Sequence, residues 1–149
     1  MIINSIGSVS NNINSPVDDN WSDVISIITL NDDVPASSTA GLEEFSHIEV
    51  VFYFDKVNDS KICYDKRRPR NNPDWPEIGI FSQRGKNRPN KIGVTICELL
   101  KIEDNKLTVK GLDAINGTPV IDIKPVFKEF LPKEIIQPGW VSELMRNYW

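Results

Sequence analysis

IGVTICELLKIEDNKLTVKGLDAINGTPVIDIKP, residues 92–125, decides the architecture of this chain. Ile92–Ile102 is apolar and partly alternating, which predicts a strand. Glu103–Lys106 (EDNK) reads as a hairpin turn, and Leu107–Leu112 returns as a second strand. Ala114–Thr118 turns again at Asn116-Gly117, a strong hairpin dipeptide, into a third strand at Pro119–Ile123.

The same pattern extends toward the N-terminus. Ile48–Phe54 (IEVVFYF) is the strongest strand signal, and Ile2–Val9 and Asp23–Leu30 are further strands. Ile78–Gln83 predicts a short one. Helix is scarce: one or two turns over Thr39–Phe45 and a short helix over Val141–Trp149. Asn58–Pro76 holds Pro69, Pro73 and Pro76 and is too long for a simple connection, which favours a functional role. Short strands joined by turns predict a mainly all-β protein, an antiparallel barrel or sandwich, built as one domain over residues 1–149.

Composition narrows the function classes. Apolar content of 40% and charged content of 26% fit a globular protein. No run is long enough for a membrane span, and the first residues lack the pattern of a secretory signal. Cys63 and Cys97 are distant in sequence and lack metal-ligand spacing. With His47 as the only histidine, they predict free thiols in a reducing, cytoplasmic setting and no metal site. No glycine-rich dinucleotide fingerprint, phosphate-binding loop or nucleophile elbow is present.

The net charge is −4, against indiscriminate nucleic-acid binding, yet the charge is uneven. Between Lys66 and Lys91 eight Lys or Arg face two acids, Asp74 and Glu77. Arg84 and Arg88 present planar forks suited to a carboxylate or phosphate, or they are paired surface arginines. Asn90 and Gly93 can shape a backbone turn near a ligand, or simply follow Pro89. His47, at the entry to the strongest strand, is either a proton acceptor or a hydrogen-bonded structural residue. Alternation puts Asp122 and Lys124 opposite Ile121 and Ile123, as a wet-face ion pair or as part of a site. Gly117-Thr118 can offer backbone donors to a small ligand. Trp75, Trp140 and Trp149 are stacking surfaces or core.

In order and spacing, several blocks resemble one family. They are Ser5–Gly7, Gly41–His47, Gly79–Arg84, Arg88–Gly93, Gly111–Asp113 and Gly117–Pro125. Together they are similar to the TsaA/TrmO family of S-adenosylmethionine-dependent tRNA N6-methyltransferases, which act on threonylcarbamoyl-adenosine beside the anticodon. The resemblance implies a small antiparallel β-barrel, not a Rossmann fold, that binds S-adenosylmethionine as a homodimer with the cofactor near the subunit interface. It implies that Asp18, His47, Ile48, Arg84, Val94, Ile115, Asn116, Gly117 and Thr118 meet the cofactor. Arg88, Asn90 and Lys124 meet the substrate, and His47 and Asp122 are the candidate bases.

Three departures stand out. Pro16-Val17-Asp18 replaces the family's Pro-Arg-Gln, Asn116 replaces an aspartate, and Val126 replaces a tyrosine. The chain looks like a short, single-domain branch that shares Asp18–Trp21 (DDNW) and Asn72–Pro76 (NPDWP). The expected function is methyl transfer to tRNA. The alternatives are a small-molecule or other modified-base methyltransferase and a non-catalytic cofactor-binding module.

Overall fold

The computed structural model describes residues 1–149. Eight strands form: β1 (Gly7–Ser10), β2 (Ile25–Leu30), β3 (His47–Tyr53), β4 (Lys66–Arg67), β5 (Ile78–Gly79), β6 (Ile92–Glu103), β7 (Lys106–Lys110) and β8 (Pro119–Pro125). Six of them close an antiparallel barrel in the order β1-β2-β7-β6-β3-β8, and β8 returns to β1. β4 and β5 make a separate two-stranded ribbon. One short helix, α1 (Gly139–Leu144), lies near the end of the sequence. The mainly β, non-Rossmann barrel expected from the sequence is the fold observed.

The core follows from strand alternation. β3 buries Ile48, Val50 and Phe52 completely or nearly so, while His47, Glu49, Val51 and Tyr53 face outward. Ile28, Leu107 and Val120 meet them from β2, β7 and β8. Each such side chain contributes about 1.5–3 kcal/mol through burial. Phe52 stands opposite Gly93 across the β3–β6 pair. A methyl group at Gly93 would lie 2.4 Å from the Phe52 ring. This glycine therefore admits an aromatic ring to the barrel interior and does not shape a turn toward a ligand.

Several expectations are revised by pairing. The Asn116-Gly117 turn does not make a hairpin, because β7 and β8 are not neighbours in the barrel. Gly117, at φ 84°, sends the chain across the barrel end to β1, and its amide bonds the Val9 carbonyl at 2.7 Å. The first strand is only Gly7–Ser10, since residues 1–5 are exposed and lack a partner strand. The strand expected over Ile78–Gln83 ends at Gly79 and gives way to a 3-10 turn over Ile80–Ser82. The helical turns near Thr39–Phe45 are two 3-10 turns, Ala36–Thr39 and Leu42–Glu44, separated by Gly41 at φ 84°. On β8 the register shifts opposite Val51/Phe52, making Ile121 an extra residue and interrupting simple alternation. No helix is long and apolar enough to cross a membrane.

Neither cysteine is bridged; Cys63 is partly exposed and Cys97 is buried. Burial pushes the Cys97 thiol up to about 12, so it packs as a small apolar group and not as a nucleophile.

Replacing Gly93 with alanine is expected to destabilise the fold by about 1–3 kcal/mol, because the Phe52 ring has nowhere to move in a packed core. Urea unfolding followed by circular dichroism measures this. A variant as stable as the parent would show that the ring can be displaced freely.

Candidate functional site

Strand register arranges the outward-facing candidates in rows across β8, β3 and β6. One row is Asp122, Val51 and Val94; the next is Lys124, Glu49 and Ile96; the third contains His47 and Glu98. Asp122 and Lys124 form an ion pair along their own strand, with side chains 46% and 60% exposed. The second oxygen of the Asp122 carboxylate accepts from the Ile123 amide at 2.9 Å. His47 is exposed, and its Nδ1 lies 2.8 Å from Ser46 Oγ.

These rows separate the two candidate bases. Val51, opposite Asp122, is four residues along β3 from His47, about 13 Å at the usual strand rise. One proton cannot be shared between them directly. Ile48 is fully buried, so its side chain belongs to the barrel core and only its backbone is near the outer face. A groove of about 380 Å³ runs beside the second row, lined by Glu49, Ile96, Lys124, Pro125, Phe127 and Phe130 among others. That volume falls in the range of small-molecule sites.

A second cluster gathers at the barrel end where β3 finishes and β6 begins. β6 is 12 residues long, but β7 pairs with it only from Glu98 to Glu103. The first half of β6 therefore lacks β7 along one edge. Arg84 reaches this region and donates to the Val94 carbonyl at 2.6 Å. On the next residue, the Thr95 hydroxyl donates to the Asp113 carboxylate, which also accepts from the Tyr148 hydroxyl. Burial first, then the Asp113 charge, raises the Tyr148 pKa, so the phenol stays a donor.

The Asp18–Trp21 loop is tied to the same end. Arg70 forms a two-pronged ion pair with Asp19, at 2.8 and 3.1 Å, and also bonds the Asp18 carbonyl at 3.1 Å. The hydrogen bond to Asp19 is the main reason that the Arg70 pKa is raised. Arg70 and Asn71 both have positive φ, 49° and 55°. Such non-glycine conformations persist where surrounding contacts dictate them.

The turn at 115–118 differs from its expected use. The amides of Asn116, Gly117 and Thr118 bond the carbonyls of Ile13, Val9 and Ile115 at 2.7, 2.7 and 3.1 Å. They cannot serve a ligand as donors without breaking the protein's own bonds. The Asn116 side chain is also engaged, donating to Asn14 at 3.1 Å and accepting from the Asn11 amide at 3.3 Å. Ile115 is half-buried and the Thr118 side chain is buried.

In the basic segment, Arg88 holds its own loop by donating to the Gln83 carbonyl at 2.9 Å, and Asn90 sits at φ 64° within a tight turn. Lys91 pairs with Asp59 at 2.9 Å and lies over the Tyr53 ring at 5.0 Å. Lys66, Arg84 and Lys86 are exposed and have no carboxylate partner. The structure thus brings Arg84 to Val94 and ties Asp18 and its loop to Arg70. It leaves His47 two rows from Val94, and Lys124 one row away, paired with Asp122.

Sequence reasoning missed Tyr148 and the role of Asp113. The available signal was an acid between Leu112 and Ala114, both of which are buried. A carboxylate in such a run needs partners.

Comparison with known proteins accords with this fold. Residues 8–130 match the family model described as the tRNA-methyltransferase O N-terminal domain. A human protein named tRNA (adenine(37)-N6)-methyltransferase is 42% identical over 115 residues, 76% of this chain and 25% of that protein. An Archaeoglobus fulgidus S-adenosyl-L-methionine-binding protein is 36% identical over 128 residues, 83% of this chain and 88% of that protein. The chain spans only about a quarter of the mammalian relatives it matches. A solved structure described as TrmO superposes with a TM-score of 0.74 at 25% identity, covering 94% of this chain and 64% of that one. A TrmO structure from Pseudomonas aeruginosa, 22% identical, shares the fold with the same TM-score, 0.74, over 94% of this chain and 62% of that one. With the match covering all but the first residue of the barrel strands, the chain belongs to the tRNA-methyltransferase O N-terminal domain family.

Proposed function

We propose that this protein is an S-adenosylmethionine-dependent methyltransferase acting on N6 of the modified adenine beside the tRNA anticodon, threonylcarbamoyl-adenosine, in the cytoplasm. The observation that carries the reading is the placement of Arg84. It is exposed, has no carboxylate partner, and is held at 2.6 Å on the Val94 carbonyl in the same row as Asp122. Family membership supplies the reaction class; the chain's own residues supply the assignment of roles.

The residues at this end fit such a cofactor. The Arg84 guanidinium suits a carboxylate. The exposed Asp18 carboxylate suits an ammonium or ribose hydroxyl, and half-buried Val94 and Ile115 offer apolar flanks for a purine. When bound, the cofactor supplies an electrophilic methyl group. Arg84 orients the bound molecule, and fixing the reactants together provides much of the acceleration. Asp122 accepts the proton released from the adenine N6. It shares the Val94 row, whereas His47 lies two rows away. Lys124, paired with Asp122, holds that carboxylate in place. Arg84→Ala is expected to abolish saturable cofactor binding in calorimetry. Asp122→Asn is expected to retain binding and lose methyl transfer by about 100-fold or more. Full activity in Asp122→Asn, with loss in His47→Ala, would transfer the role of base to His47.

RNA binding is supported by the lobe around β4 and β5. Tyr64 and Phe81, 76% and 79% exposed, lie two residues beyond the paired Lys66 and Gly79. These exposed rings, close in sequence to exposed Lys66 and Lys86, suit unpaired bases and phosphates. Phe81→Ala is expected to weaken tRNA binding in filter assays about tenfold. The affinity of the parent should fall steeply with salt. Salt-insensitive binding would exclude this lobe as the RNA contact.

A homodimer is supported by an apolar strip: Phe130, Ile135 and Ile136 are 83%, 71% and 100% exposed, close in sequence to Phe127 of the groove. A monomer rarely leaves such a strip uncovered. Phe130→Asp is expected to halve the mass measured by light scattering. A parent already monomeric at micromolar concentration would exclude the dimer.

A further inference from the structure

The last segment of the sequence touches Trp75, the Asp18–Trp21 loop and Asp113. Its α1 anchors first: Glu143 accepts from the Trp75 indole at 2.8 Å, and the Trp140 and Trp75 rings lie 6.4 Å apart. That contact reaches the Asn72–Pro76 segment. Beyond α1 the backbone runs beside the N-terminal loop. The Asn20 and Trp21 amides donate to the carbonyls of Asn147 and Tyr148, both at 2.9 Å. The Trp21 side chain is buried there, only 3% exposed. The Tyr148 hydroxyl then enters the barrel wall and bonds Asp113, which is already bonded by Thr95 of β6. The charges of Arg84 and Arg70 oppose the rise in the Tyr148 pKa that burial and Asp113 cause.

Position matters as much as bonding. The unpaired upper half of β6 is where Arg84 meets Val94, and Thr95 is the adjacent residue. Asp113 is two residues before Ile115. Tyr148 therefore meets two chain segments through its own atoms, the Asp18–Trp21 loop and the 111–118 connection, and reaches the edge of β6 through Asp113.

We propose that Asp113 and Tyr148 form a positioning latch: by seating residues 139–149 across the gap in the barrel wall, they fix the relative placement of Arg84 and the Asp18–Trp21 loop and so set cofactor affinity. This rests on Arg84 as a cofactor ligand, the reading given above. Neither latch residue is assigned a contact with the cofactor. They act through the segments that they hold. A carboxylate accepting two hydroxyl donors in a partly buried site is directional, and it fails when either donor is lost.

The test compares the parent, Tyr148→Phe, Asp113→Asn, Asp113→Ala and Ile28→Val as full chains. Tyr148→Phe removes only the hydroxyl, and Ile28→Val lowers stability from within the barrel core without removing a latch hydrogen bond. Calorimetry with S-adenosylmethionine at 25 °C and hydrogen exchange at the Asn20 and Trp21 amides are the readouts. Tyr148→Phe is expected to weaken cofactor binding about fivefold and to speed exchange at both amides. Asp113→Asn, which keeps one acceptor oxygen, should lose less affinity than Asp113→Ala. Ile28→Val should keep the parent affinity. Parent-like affinity in Tyr148→Phe overturns the latch, as does equal loss in Ile28→Val. Should Tyr148→Phe fail to fold, the ordering of the two Asp113 variants decides: equal affinity in both overturns the proposal. Absence of binding by the parent overturns the cofactor reading itself, and the latch role falls with it.

Discussion

Closure of the sheet is the constraint on which the rest of the molecule depends. β8 lies between β1 and β3 and pairs with both. Closure satisfies backbone donors and acceptors that an open sheet would leave along its edges. It also turns the inward faces of all six strands onto one another, so that Ile28, Ile48, Val50, Phe52, Leu107 and Val120 share one interior. The cost is geometric. Strands of unequal length cannot cover one another fully, and β7 leaves the first half of β6 without a neighbour on that side.

That shortfall gives the fold its chemistry. Polar groups along an incompletely paired edge need other partners. Here they come from side chains: Arg84 takes the Val94 carbonyl, and Asp113 takes the Thr95 hydroxyl. Tyr148 closes the set from the far end of the sequence. The residues grouped there are charged or polar for a structural reason, and the same reason leaves Arg84 exposed toward solvent. Outer-face rows extend from this end toward His47, and strand spacing decides which side chains can cooperate. Distance, more than residue type, separates Asp122 from His47.

The outer surface divides by chemistry. The lobe around β4 and β5 carries cations without acid partners beside two exposed aromatic rings. The groove side carries Phe127, Phe130 and the apolar residues that follow. A net charge of −4 hides this division, because acids such as Asp19 and Asp59 neutralise only particular cations, Arg70 and Lys91. Local pairing, and not the total, determines where an anionic partner can approach.

The sequence by itself determined the β class, the alternation of β3, the β6–β7 hairpin and the identity of the family-bearing blocks. Those features are local: they depend on side chains two residues apart and on turn dipeptides, which any short window displays. Only the tertiary structure decided that Asn116-Gly117 crosses the barrel end and makes no hairpin, since that depends on which strand β8 finds as its neighbour. Likewise, Gly93 reads as a ligand turn until Phe52 is seen opposite it. The 116–118 amides read as free donors until Val9 and Ile13 are seen to occupy two of them, with Ile115 taking the third. Asp113 and Tyr148 are separated by 35 positions, and no periodicity links them. Their meeting is a consequence of closure, which only the folded chain can express.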